Sequence, residues 1–223
     1  VNLLNTSKTA LQKSLICVVA ASVVVIADAR TTKNQPSQRA ALVAKNFESW
    51  LAKHKIKAGA IVVSYRGKPI AKGGKSRNIN TPAPVASLSK AITAVCTINA
   101  LAGSNNQISL RLGKALPELF SRYNVADRRL KDITVGQLIS NNSGLGKEFP
   151  VKYLKGVKDF SKERKEWQFS KIAEHPMNAR PGSGYQYSNA NYLILGLVIE
   201  ALTDSDYQTY CAKTVLEPIG ITS

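Results

Sequence analysis

The sequence predicts an α+β chain (α/β layered), with an N-terminal β-hairpin followed by a mainly helical region, and three stretches of its 223 residues carry that prediction. Ala58–Tyr65 is a short β-branched run, and Arg66-Gly67-Lys68 behind it has the composition of a turn. Leu88–Leu101 is a long apolar run placed after Pro82 and Pro84, which end any preceding helix. Tyr192–Leu202 is a second apolar run, set behind the turn-making pair Pro181-Gly182. With 44% hydrophobic and 20% charged residues, the composition is that of an ordinary globular chain, long enough for one domain with a sizeable core.

The start of the chain predicts export. Lys8 and Lys13 precede an apolar run from Leu15 to Ala27, which closes on Ala27-Asp28-Ala29, so a charged region, an apolar region and a small-residue cleavage site follow in order. Residues 1–29 are therefore expected to be a cleaved signal peptide, residues 30–223 the mature domain, and the location periplasmic or secreted. The run is shorter than the about 20 apolar residues of a membrane-spanning helix, so no permanent membrane anchor is expected. Ser14-Leu15-Ile16 lacks the small residue that a lipid-modified Cys17 would need before it.

The formal charge is +17, and losing Lys8, Lys13 and Asp28 with the signal peptide leaves +16. For an exported protein that bias points to anionic cell-envelope polymers as partners, through an attraction that weakens with salt. Specific nucleic-acid binding is not expected, because the basic residues build no zinc-finger, RNA-recognition or helix-turn-helix signature. His54 and His175 are the only histidines and neither lies in a ligand-spaced cluster, so no metal or other cofactor is expected. Cys96 and Cys211 remain after export; as a pair they suit an oxidising compartment, and as buried thiols they suit their apolar surroundings equally well.

Between these landmarks the elements fall in order. Arg30–Ser37 reads as an exposed leader, and Gln38–Lys55 carries Leu42, Val43, Phe47, Trp50 and Leu51 at near-helical spacing. Pro69–Lys72 reads as a weaker second strand that closes at Gly73-Gly74. Ile133–Ile139 is a short helix with Thr134 as its N-cap, ending at Asn141-Asn142-Ser143-Gly144-Leu145. Lys147–Glu174, charged, irregular and dotted with Tyr153, Phe160, Trp167 and Phe169, reads as a helical lid or a loop with a solvated basic face; a second reading has part of it bordering a substrate.

Chemistry is suggested by Ser87-Leu88-Ser89-Lys90, the one S-x-x-K in the chain. Residues three apart on a helix share a face, with about 5–6 Å between Cβ atoms, so the Lys90 amine reaches the Ser87 hydroxyl. Ser87 at a helix N-terminus also has a backbone N–H without an intrahelical acceptor, half of an oxyanion site. Taken alone the pattern fits an N-cap serine just as well. Tyr187-Ser188-Asn189, the one Y-x-N, stands 100 residues further on.

The two motifs in this order resemble those of the serine β-lactamase and penicillin-binding protein superfamily, in the class C β-lactamase-related branch that also holds DD-peptidases and carboxylesterases. The flanks resemble it too: Leu138-Ile139-Ser140-Asn141-Asn142-Ser143-Gly144-Leu145 is similar to a family stretch that usually has His where Asn141 stands, and Pro181–Glu200 follows the family pattern almost throughout. The resemblance implies a β-lactamase/transpeptidase-like fold and an acyl-enzyme on Ser87, formed from a β-lactam, an ester or a D-alanyl peptide, so that a small-molecule or peptidoglycan-derived compound is the substrate. Lys90 could be the base if neutral, which costs about 4 kcal/mol of desolvation and charge repulsion; Tyr187 could be the base instead, its phenolate stabilised by a protonated Lys90. Asn189, by resemblance, hydrogen-bonds Lys90 and the substrate's acyl amide. A zinc-type lactamase is excluded. The family's third motif, Lys-Thr-Gly or His-x-Gly on a late strand, has no counterpart after Tyr187, so the sequence is expected to be a partial version of a longer enzyme, lacking the C-terminal strands of the sheet and poorly active alone. The alternative is a non-catalytic penicillin-recognising or cell-wall-binding protein.

Overall fold

The computed structural model describes residues 36–146 and 161–222. The expected signal peptide, 1–29, lies outside the described residues, as do most of the Arg30–Ser37 leader and residues 147–160 of the predicted lid. The described residues fall into two compact units that divide between Ala86 and Ser87.

The first unit is one helix on a hairpin. Helix α1, Pro36–Lys53, opens on a proline, which suits a first turn because its missing N–H has no partner to lose there. It buries Ala40, Ala44 and Leu51, spaced four and seven apart, on one face. Strands β1, Gly59–Tyr65, and β2, Lys68–Lys75, pair antiparallel in a two-stranded sheet. Arg66 and Gly67 both have positive φ, 48° and 77°, the backbone of a tight turn whose twist matches the strands it joins. The second strand runs through Gly73-Gly74 where the sequence suggested it would close. The reason is close approach: a Cβ on Gly73 would lie 3.0 Å from the Ala44 Cβ, so the bare glycine is what lets α1 sit down on β2.

The second unit is helical. A short 3-10 turn, Ala86–Leu88, runs straight into α2, Ser89–Gly103. Then come two short helices, α3, Leu112–Ala115, and α4, Pro117–Arg122, followed by α5, Val135–Ile139. Thr134 caps α5 as predicted: its hydroxyl accepts from Gln137 N while the Gln137 side chain accepts from Thr134 N, a reciprocal pair that satisfies two otherwise orphaned donors. Helix α6, Lys162–Ala173, takes the helical alternative for this part of the predicted lid, but it is largely buried where a solvated face was expected. Its Phe169 is fully buried, packed edge-on against Phe120 at 5.5 Å, and this apolar anchor holds the helix in the core despite its charged sequence.

Helix α7, Asn189–Thr203, is the centre of this unit. It buries Ala190, Ile194, Leu195, Leu197, Val198 and Ile199, which lie on several sides of the helix, so it is packed all round instead of on one stripe. Helix α2 packs along it, as do α5 and α6. Beyond it, α8, Tyr207–Cys211, is capped by Asp206, whose carboxylate accepts from Gln208 N and Thr209 N. Lys213-Thr214-Val215 lies in the helical turn that follows, Ala212–Leu216. Cys96 and Cys211 are joined as a disulfide with 5.5 Å between Cα atoms, which closes the question the sequence left open and ties α2 to the end of α8. Among the described residues no helix is long and apolar enough to cross a membrane.

Candidate active site

The 3-10 turn at Ala86–Leu88 decides where Ser87 points. Side chains three apart eclipse one another in 3-10 geometry, so a serine in such a turn and a lysine one α-helical residue beyond it face the same way. Lys90 Nζ accordingly donates to Ser87 Oγ at 3.3 Å. Ser87 lies before the first residue of α2, whose N-cap is Leu88, so it occupies the lead-in to the helix and not the cap itself. Ala86, immediately before it, is held at φ 46°, a left-handed conformation that alanine rarely adopts and that sets the entry to the turn.

Tyr187 comes to the same point from the other side of the sequence. The Ser87 Oγ and the Tyr187 hydroxyl share a hydrogen bond at 2.7 Å. Lys90 Nζ also sits 4.9 Å from the centre of the Tyr187 ring and 5.5 Å from that of Tyr192, so its ammonium is cupped by two aromatic faces. Burial pushes the Tyr187 phenol up, but hydrogen bonding to Lys90 and Ser87 together with the Lys90 charge outweighs it, and the net effect holds the phenol below the ordinary tyrosine value. Burial, joined by the neighbouring Tyr187 and Tyr185, drives Tyr192 the opposite way. A serine hydroxyl touching an acidified phenol beside an ammonium has a route for its proton and a charge to stabilise what is left behind.

Asn189 is the fourth predicted residue, and its Oδ1 reaches the Tyr187 hydroxyl at 3.5 Å, the long limit for such a contact. The expected Asn189–Lys90 hydrogen bond is not formed among the described residues: the side chain turns toward the tyrosine instead. Ser87 is exposed, whereas Lys90, Tyr187 and Asn189 are half-buried, so the nucleophile candidate is open to solvent above a partly screened base of support.

A family model described as beta-lactamase matches residues 43–223. The chain belongs to the beta-lactamase family. Among curated proteins, Protein flp of Staphylococcus aureus (strain NCTC 8325 / PS 47) is 25% identical over 138 residues, 62% of this chain and 26% of that protein. Among solved structures, a class C beta-lactamase superposes with a TM-score of 0.65 at 19% identity, covering 86% of this chain and 52% of its own. A D-stereospecific amidohydrolase from Streptomyces sp. does so with a TM-score of 0.61 at 21% identity, covering 82% and 53%. At these identities the likeness is one of fold. The chain spans about a quarter of the length of the curated relative and about half of the solved structures it matches.

Two parts of the site escaped the sequence reading. Tyr192 stands in the sequence only as the start of an apolar run, yet its ring faces Lys90 and its hydroxyl donates to the Ile139 carbonyl at 2.8 Å. Its position one helical turn into α7 on the Asn189 side was the available signal, since residues three apart share a face. Asn141, which stands where the family stretch usually has His, is 8% exposed and its Oδ1 accepts from Ser188 N next to Tyr187.

Proposed function

We propose that this chain carries the acylating centre of an exported serine hydrolase. Ser87 is the nucleophile, Tyr187 receives its proton, and Lys90 stabilises the phenolate by its charge. The observation that supports this most strongly is the meeting of Ser87 Oγ with the Tyr187 hydroxyl at 2.7 Å and with Lys90 Nζ at 3.3 Å, from motifs 100 residues apart. Between the two candidate bases, the downward displacement of the Tyr187 phenol favours the tyrosine, because a base with a lowered pKa is available nearer neutral pH.

The attacked group is an amide, ester or β-lactam carbonyl. Ser87 Oγ bonds to the carbonyl carbon as its proton passes to Tyr187; the C–N or C–O bond then breaks as the leaving group takes that proton, and water releases the acyl group from Ser87 by the reverse path. The Ser87 backbone N–H, in the 3-10 turn that leads into α2, is one donor for the oxyanion. Asn189 orients the substrate's acyl amide. Of the three substrate classes, D-alanyl peptides and related D-amino-acid amides receive support from the D-stereospecific amidohydrolase among the structural relatives.

Export is supported by the Cys96–Cys211 disulfide, a bond that persists in oxidising compartments. Attraction to anionic envelope polymers is supported by the distribution of charge: residues 36–86 contain ten Lys and Arg, all exposed, against Glu48 as the one acid, and no ion pair forms there among the described residues.

Intact-mass detection of a penicilloyl or D-alanyl-ester acyl adduct on the full-length protein tests the reading. An adduct lost in Ser87→Ala with turnover of the substrate supports it. A Ser87 adduct without turnover indicates a penicillin-recognising protein instead, and no adduct at all removes the acyl-enzyme proposal.

A further inference from the structure

Tyr187 has two backbone neighbours, and both are held by one residue. Gln186 N donates to the Asn141 carbonyl at 2.7 Å, and Ser188 N donates to the Asn141 Oδ1 at 3.2 Å. The same Oδ1 accepts from Asn191 Nδ2 at 2.9 Å, so the side chain also joins the first turn of α7. Asn141 thus acts as a ladder partner one residue long. Along an extended segment neighbouring side chains point to opposite faces, so gripping the chain at 186 and 188 fixes the direction in which Tyr187 leaves it. Asn141 is itself placed by a left-handed backbone, φ 54°, a conformation that asparagine tolerates better than most residues.

We infer that Asn141 is a positioning residue for the serine–tyrosine contact, setting the Tyr187 hydroxyl against Ser87 through its paired hold on residues 186 and 188. The inference rests on the proposed role of Tyr187 for its effect on acylation, but not for its effect on the tyrosine itself. Neighbouring contacts help to separate positioning from plain support. Ser143 Oγ donates to Asn191 Oδ1 at 2.6 Å, so Ser143 stabilises the same buried cluster without touching residues 186 or 188. The depression of the Tyr187 phenol depends on its closeness to Lys90 and Ser87, which makes its titration a gauge of position.

The test uses the full-length protein and three variants, with Tyr187→Phe as the assignment control. Asn141→Gly deletes the Oδ1 while suiting the positive φ, so the backbone carbonyl hold on Gln186 remains. It is expected to raise the Tyr187 titration toward that of an ordinary tyrosine, read by NMR of 13Cζ-labelled tyrosine with the signal assigned from its loss in Tyr187→Phe. It is also expected to slow acylation about 10–100-fold with the binding step little changed. Asn141→Asp keeps an oxygen acceptor of the same reach and should recover acylation to within about 5-fold of the parent. Ser143→Ala should lower the melting temperature while leaving both the Tyr187 titration and acylation near parent values. If Asn141→Gly does not fold, Asn141→Ser, whose hydroxyl is too short to reach Ser188 N, replaces it with the same expected changes. An unchanged Tyr187 titration in the side-chain deletion overturns the inference, and so does a Ser143→Ala protein that reproduces both effects. Should the parent prove not to acylate at all, the serine-hydrolase proposal fails and the titration still decides whether Asn141 positions Tyr187.

Discussion

Ser87 Oγ lies 2.7 Å from the Tyr187 hydroxyl, a side-chain hydrogen bond that joins the turn leading into α2 to the segment leading into α7. Both elements end their approach to the site with a residue just outside or at the start of a buried helix, so the contact is fixed by the packing of α2 on α7. Replacing Tyr187 by Phe keeps the ring under Lys90 and removes only the hydroxyl. Acylation is expected to fall about 10²–10⁴-fold, the usual worth of a positioned proton acceptor. Stability should drop by no more than about 1 kcal/mol, the net value of one hydrogen bond. Burst kinetics with a chromogenic ester, run beside thermal melting, separate the two; a Tyr187→Phe protein that acylates at the parent rate removes Tyr187 from the reaction.

The pH dependence follows from the same contact. A phenolate is the active form of the base, so acylation should climb with pH and level off above the Tyr187 pKa, at an inflexion below that of an ordinary tyrosine. The Lys90 charge is part of the cause, since a cation beside a phenol favours its ionised form. Lys90→Met should therefore move the inflexion upward as well as slow the plateau. A profile whose inflexion stays in place without Lys90 would show that the lysine does not tune the tyrosine.

Much of this was legible from residue order alone, because the elements concerned are decided locally. The β-branched run, the Thr134–Gln137 cap and the apolar runs behind Ser87 and Pro181-Gly182 each state their structure within a few residues, and Ser87, Lys90 and Tyr187 do meet. What was misread depends on a partner distant in sequence. Gly73-Gly74 looks like the end of a strand until Ala44 is seen against it. Residues 162–173 look like a solvated lid because their charges dominate, and only the packing around Phe169 shows that one face of this helix is buried. Asn189 was assigned to Lys90 by resemblance and instead leans on Tyr187.

Asp127 should govern acid stability in the second unit. It caps the 3-10 turn Arg128–Asp132 by accepting from Arg129 N at 3.0 Å, accepts from Arg129 Nε at 2.9 Å, and reaches across to Met177 N at 3.2 Å. The Arg129 side chain, then the two backbone N–H groups, hold its carboxyl well below the usual carboxylate range against the opposing effect of burial. A carboxyl whose folded pKa is depressed contributes stability that is complete above its unfolded pKa, near 4, and is lost as pH falls through the folded value. Asp127→Asn should cost about 1–2 kcal/mol at neutral pH through the weaker hydrogen bonds of an uncharged acceptor, and the gap in melting temperature between parent and variant should hold constant down to about pH 5 and then narrow progressively as pH falls below about 4 toward the depressed folded value. A gap that persists unchanged at low pH would show that the carboxylate charge is not what stabilises this corner.

The disulfide between Cys96 and Cys211 spans 115 residues, and a cross-link over a loop of that length removes much of the freedom of the unfolded chain. For loops of about 100 residues the chain-entropy estimate is about 4.7 kcal/mol, although native strain commonly reduces the realised value to about 2–4. Both sulfur-bearing residues are buried, so reduction needs the structure to open first and should be slow under native conditions. The local chemistry of the site should nevertheless survive, because α2 is held independently: Thr93, one turn beyond Lys90, shares a 2.7 Å hydrogen bond with the Tyr207 hydroxyl, and α7 packs along the whole helix. The double variant Cys96→Ala with Cys211→Ala is thus expected to melt well below the parent, yet to acylate within about 3-fold of it at temperatures where it stays folded. Thermal melts with and without reductant, together with single-turnover acylation at 15 °C, read both quantities. Loss of acylation in a variant that remains folded would mean that the bond fixes the geometry of Lys90 directly, and a melting temperature equal to the parent's would mean that it contributes nothing to the fold.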